Sequence, residues 1–114
     1  TLATAYDEAI APLAPSMRPI PRPADSRHAW HLYVVHIDFP GLSKTRAQLM
    51  RHLHQAGIGT QVHYRPIHQQ PFYCGRAGEL ELNGAESYYK KSIALPLHMG
   101  ASLDDVRLIA GRIK

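Results

Sequence analysis

The run His28-Ala29-Trp30-His31-Leu32-Tyr33-Val34-Val35-His36-Ile37-Asp38 limits the folds open to this chain more than any other. It is rich in β-branched and aromatic residues and nearly continuous in apolar character, which predicts a central strand covered on both sides. Phe39-Pro40-Gly41 ends it with a turn. A strand buried on two faces needs helices around it, and helical patterns do flank it. Leu2, Ala5, Tyr6, Ala9 and Ile10 recur at helical spacing, predicting an amphipathic helix from Thr1 to about Ala11 that stops at the Pro12 to Pro15 cluster. Downstream, Ser43 as N-cap, a stripe of Ala47, Leu49, Met50, Leu53 and Ala56, and Gly57 at the C′ position define a second helix. His52 and His54, two residues apart, cannot share a helix face and are expected in solvent.

Between the first helix and the strand, Pro15, Pro19, Pro21 and Pro23 predict an extended connector whose pre-set φ angles let it span distance without hydrogen-bonding partners of its own. After the second helix comes Gly57-Ile58-Gly59-Thr60-Gln61-Val62-His63-Tyr64-Arg65-Pro66-Ile67-His68-Gln69-Gln70-Pro71. It reads as a helix-ending glycine, a short alternating strand and a Pro-bounded loop. Alternation places Ile58, Thr60, Val62 and Tyr64 on one face and Gly59, Gln61, His63 and Arg65 on the other. One face packs, and the other can meet a ligand. Residues 72–82 read as a loop with Gly75 and Gly78. Asn83 with Glu86 three residues on suggests a capping arrangement for a short helix to about Lys91. Ser92-Ile93-Ala94-Leu95-Pro96-Leu97 is a short buried strand that Pro96 confines to a sheet edge or strand end. Ser102 with Asp105, then Val106, Ile109, Ala110 and Ile113, gives a capped final helix. The order predicts an α/β (α+β) fold, a small sheet covered by helices, with Trp30 to Ile37 central. Residues 1–14 read as the end of an interdomain helix, 15–27 as the connector and 28–114 as a small α/β domain.

At 114 residues the chain suits one domain with a real core. No apolar run approaches the roughly 20 residues of a membrane helix. The formal net charge of +4 is scattered, with no basic run carrying interleaved aromatics, so nucleic acid is not an expected partner and an anionic small molecule is. The single cysteine, Cys74, fits a reducing, cytoplasmic compartment. The chain starts without Met, within what reads as a helix already under way, the expectation being a piece of a longer protein.

Eight histidines raise the question of a metal. His28 with His31 would point to opposite faces of a strand, and His63 with His68 lacks paired ligands at the spacing a structural zinc needs, so no metal site is expected. Cys74 with His63 lacks the third group and oxyanion donors of a nucleophilic site. No glycine-rich phosphate loop opens a helix. From spacing alone, His63, Tyr64 and Arg65 suit either a polar sheet edge facing water or a ligand-meeting strand end.

Taken together, His28-Ala29-Trp30-His31-Leu32-Tyr33, Gly57-Ile58-Gly59-Thr60-Gln61-Val62-His63-Tyr64 with Pro66 and His68, Pro71 with Tyr73, and Leu95-Pro96-Leu97 resemble the C-terminal part of the DegT/DnrJ/EryC1/StrS nucleotide-sugar aminotransferases, in the family's order and over nearly the whole chain. The resemblance implies the small C-terminal domain of a fold-type-I pyridoxal-phosphate enzyme, acting as a homodimer on a UDP-sugar with glutamate as amino donor. The Gly-Ile-Gly-Thr-Gln-Val-His-Tyr block is most similar to enzymes that aminate C4 of a UDP-4-keto-6-deoxy-hexosamine on the pseudaminic acid route. The alternatives are the UDP-4-amino-arabinose branch and a free-standing anionic-ligand module. Family resemblance implies substrate contact for Gln61, His63, Tyr64, Arg65 and His68, with Tyr73 nearby. The cofactor-anchoring lysine lies upstream in that family, and none of Lys44, Lys90, Lys91 or Lys114 sits in a matching motif, so no catalytic or cofactor-binding residue is expected on this chain. His98-Met99-Gly100 departs from the family's aromatic residue and proline after the Leu-Pro-Leu strand.

Overall fold

The computed structural model describes residues 1–76 and 80–113. Within them lie helices α1 (Leu2–Ile10), α2 (Arg46–Gln55), α3 (Asn83–Lys91) and α4 (Leu103–Ile113), and strands β1 (Met17–Pro19), β2 (Tyr33–Ile37) and β3 (Ser92–Leu95). The strands form one antiparallel sheet in the order β1-β2-β3. β2 is central, as its apolar continuity requires, and its neighbours Val34 and Val35, on opposite faces, are only 8% and 0% exposed. It is shorter than the run from His28 to Asp38: Trp30 stays at the surface, between the Arg22 guanidinium, 4.6 Å from its ring centroid, and the His28 ring at 4.9 Å.

Register decides what each face meets. Met17, Tyr33, Val35, Ile37, Ile93 and Leu95 share the face covered by α1, α2 and α4, where Tyr6, Ile10, Leu53, Val106, Ile109 and Ile113 complete one buried cluster. Arg18, Val34, His36, Ser92 and Ala94 share the other, which α3 crosses with Tyr88 edge-on to His36 at 5.2 Å. The result is a small α+β sandwich of helices, sheet and helix.

Four local expectations are corrected. The Pro-rich stretch does find partners: β1 pairs Met17 with Ile37, Arg18 with His36 and Pro19 with Val35, because burying Met17 holds it to the sheet and an edge strand tolerates a proline that donates nothing outward. Ser43 is not the cap of α2, since its φ of 51° is left-handed and a cap needs extended backbone. Thr45 caps instead, its Oγ1 accepting from Gln48 N–H at 3.2 Å while Gln48 Oε1 accepts from Thr45 N–H at 2.8 Å. α3 starts without a side-chain cap, because Leu82, which has no side-chain acceptor, stands at the cap position with Asn83 already in the helix, and Glu86 accepts from His68 instead. Residues 58–65 form no strand, for reasons tied to the site below.

Other expectations hold. Gly57 ends α2 at φ +78°, its N–H donating to His54 O and that of Ile58 to Leu53 O, both at 2.9 Å, which returns Ile58 to the core beside Leu53. Ser102 and Asp105 cap α4 reciprocally, and His52 and His54 are exposed. In the predicted 72–82 loop, residues 71–76 turn repeatedly; residues 77–79, Gly78 among them, and Lys114 lie outside the described residues.

Candidate functional site

Beyond Gly57 the chain runs along the open edge of β3 and joins it at one point. Gln61 N–H donates to Ala94 O at 3.2 Å, and Ala94 N–H donates to Gln61 O at 2.8 Å. Extending that pair antiparallel would set Gly59 opposite Pro96, which has no N–H to give, and His63 opposite Ser92, whose N–H is already given to Tyr88 O at the end of α3, so the ladder stops after one bridge. The alternation predicted for 58–65 fails with it. Ile58, Gly59, Thr60 and Gln61 all line a single groove of about 590 Å³, between this segment, the Leu95-Pro96-Leu97 exit of β3 and the start of α4.

The groove has apolar walls, including Leu95, Leu97, Leu108 and Ile109, and polar groups on His31, Thr60, Gln61, His63, His98 and Asp105. Gln61 Oε1 and His63 Nε2 lie 3.0 Å apart, so the backbone bridge that fixes Gln61 also fixes the imidazole. Asp105 accepts from Ser102 N–H at 2.8 Å and Ser102 Oγ–H at 2.7 Å, bonds that hold its carboxyl below the usual carboxylate range. It therefore stays ionised at neutral pH. Among the described residues no arginine or lysine lines the groove. Imidazoles, an amide, a hydroxyl and a carboxylate on an apolar floor suit the hydroxyls of a small polar ring better than a diphosphate. Tyr6, 1% exposed, holds the wall from behind: its hydroxyl donates to Pro96 O at 2.8 Å, and burial, with Asp105, pushes it up to about 12, so it remains a donor.

Of the predicted contact residues, Gln61 and His63 meet in this groove. Tyr64, 73% exposed, sets its ring at right angles to that of His63 at 4.8 Å. Arg65 is exposed, its carbonyl accepting from Gln70 Nε2 at 3.3 Å. His68 is engaged elsewhere, Nε2 lying 3.1 Å from Glu86 Oε1, with a side chain 9% exposed; it ties the Ile67–Gln69 turn to α3. Tyr73 and Cys74 are exposed. No cluster of three or more His, Cys, Asp or Glu able to hold a metal occurs among the described residues, and none of their helices is long and apolar enough to cross a membrane. Sequence reasoning missed Thr60, His31, His98 and Asp105 as groove residues. Only His98 carried a signal, as the departure after Leu-Pro-Leu; Asp105 read solely as a capping partner.

The chain matches the model of the DegT/DnrJ/EryC1/StrS aminotransferase family over residues 1–114. It is 41% identical over 85 residues to the spore coat polysaccharide biosynthesis protein SpsC of Bacillus subtilis, 72% of this chain and 22% of that protein. It is 35% identical over 79 residues to UDP-4-amino-4,6-dideoxy-N-acetyl-beta-L-altrosamine transaminase of Campylobacter jejuni, 69% of this chain and 21% of that protein. Its fold superposes on Helicobacter pylori PseC, an aminotransferase involved in the biosynthesis of pseudoaminic acid, with a TM-score of 0.85 and 28% identity, over 98% of this chain and 30% of that one. The chain thus spans about a fifth of the length of these curated relatives.

Proposed function

The chain belongs to the DegT/DnrJ/EryC1/StrS aminotransferase family, and from that premise we propose that it forms the C-terminal, sugar-contacting wall of a pyridoxal-phosphate enzyme that aminates C4 of a UDP-4-keto-6-deoxy-hexosamine with glutamate. The observation that carries the reading is the fixed Gln61–His63 pair in a groove that no arginine or lysine lines among the described residues, fitted to the hydroxyls and acyl-amino group of a sugar ring. The C. jejuni and H. pylori proteins support the sugar by their named roles, and SpsC supports a product bound for a polysaccharide.

Among the described residues, none fits the cofactor itself. Pyridoxal phosphate supplies electron withdrawal to the reacting carbon, and it needs an anchoring lysine and a phosphate cradle. Lys44 and Lys91 line cavities apart from the groove, and Lys90 is a surface residue of α3 beside Glu86. Here the chain's task is positioning: Gln61 and His63 orient the ring, the apolar floor excludes water, and Tyr6 keeps the Pro96 wall in place. The diphosphate, finding no lysine or arginine in the groove, is met by groups beyond its lining; Arg65 is exposed two residues past His63. The intact enzyme, a homodimer on this reading, is tested by offering it glutamate with a UDP-4-keto-6-deoxy-hexosamine or a UDP-4-keto-pentose. C4 amination of the hexosamine in preference is expected; preference for the pentose, or no amination of either, overturns the reading.

A further inference from the structure

The β1 edge of the sheet, opposite the edge that carries the groove, has a second cavity of about 500 Å³, walled by Pro15, Pro19, Pro21 and Ile37 and by Arg18, His36, Asp38 and Lys91. It shares no residue with the groove. The register explains why cations gather here. Arg18 lies opposite His36, and His36 opposite Ser92, so three polar side chains stand in one row across the sheet, and Lys91 immediately precedes Ser92 at the end of α3. Neighbours in such a row have Cβ atoms about 5 Å apart.

Among the described residues, none of these side chains has a hydrogen-bond or ion-pair partner. Arg18 and Lys91 enter no ion pair among the described residues. Nε2 of His36 and Oγ of Ser92 are buried without a hydrogen-bond partner, a state that few buried polar atoms tolerate. The one carboxylate in the wall, Asp38, is occupied with its own turn: Oδ1 accepts from Gly41 N–H at 3.2 Å, and a Cβ on Gly41 would collide with Oδ2. The prolines fix the shape of the wall and offer no donors, so recognition falls to a guanidinium fork and an ammonium, with the His36 imidazole in the wall between them.

We propose that this cavity is a binding site for a small phosphorylated anion, held by Arg18 and Lys91 with His36 between them. Two cations and an imidazole ask for more acceptor oxygens than a monocarboxylate carries, and a phosphoryl group supplies them in the geometry a guanidinium prefers. The site is independent of the aminotransferase reading and stands or falls separately.

Lysine acylation of the intact protein, mapped by mass spectrometry with and without inorganic pyrophosphate, tests it residue by residue. Pyrophosphate at roughly ten times its Kd should slow modification of Lys91 about tenfold and leave Lys44 and Lys90 unchanged. Acetate should protect nothing, and Arg18→Gln, an exposed substitution, should abolish the protection without unfolding the chain. Any of four results overturns the proposal: Lys91 modified at the same rate with pyrophosphate, equal protection by acetate, protection surviving Arg18→Gln, or Lys91 already unreactive without added anion, which would mean other parts of the protein cover this face.

Discussion

Asp7 shows how much of this structure hangs on single side chains that no local pattern singles out. Its two oxygens accept from Arg22 at 2.6 and 2.7 Å, and Tyr33 Oη–H donates to it at 2.6 Å, tying α1 to the Pro-rich stretch and to β2 at once. The Arg22 guanidinium, chiefly, and the Tyr33 hydroxyl hold the carboxyl below its usual range against a smaller opposing effect of burial. A depressed folded-state value means that the unfolded chain binds the proton first. The stabilisation is therefore complete above the unfolded value of about 4 and is lost as pH falls through the lower folded value. Thermal melts below about pH 4 should accordingly show Asp7→Asn flatter with pH than the parent protein, and parallel slopes would contradict this. His68 teaches the same lesson from the other side: imidazole in a polar stretch reads as ligand-meeting, yet here it is spent on Glu86, a partner 18 residues away. Spacing cannot see such a pairing.

Elements were legible where the chain's own chemistry decides them. The stripe of Leu49 and Leu53, the Gly57 terminus and the Ser102–Asp105 cap all depend on neighbours within a turn, and all appear as predicted. Of the four misreadings, the two that changed a whole element depend on remote partners. Residues 58–65 alternate like a strand, but their would-be ladder meets Pro96 on β3; residues 17–19 read as an unpaired connector, but β2 had an edge free for them. Leu53 is 0% exposed in the cluster shared with α4. Leu53→Ala should cost about 2–5 kcal/mol, read as a lowered denaturation midpoint. Thr45→Ala, which removes the cap of α2, should cost about 1 kcal/mol. A Leu53→Ala midpoint equal to the parent's would mean that α2 does not face the core.

At the scale of the whole molecule, one groove at the β3 edge gathers residues from the end of α2, the segment before β2, the exit of β3 and the start of α4. Gln61 and His63 were visible beforehand through the family resemblance; Thr60, His31, His98 and Asp105 became visible only once the chain was folded around Pro96. We propose from their chemistry that this part of the protein holds the sugar rather than the cofactor or the amino donor. Stopped-flow comparison of the two half-reactions in the intact enzyme carrying His63→Ala tests that assignment most directly. Loss of one hydrogen bond to the sugar should raise KM for the UDP-sugar and lower its kcat/KM by the equivalent of about 1–3 kcal/mol, leaving the glutamate half-reaction nearly unchanged. A glutamate half-reaction slowed as much as the sugar half-reaction would contradict it and make His63 a cofactor or proton-transfer residue.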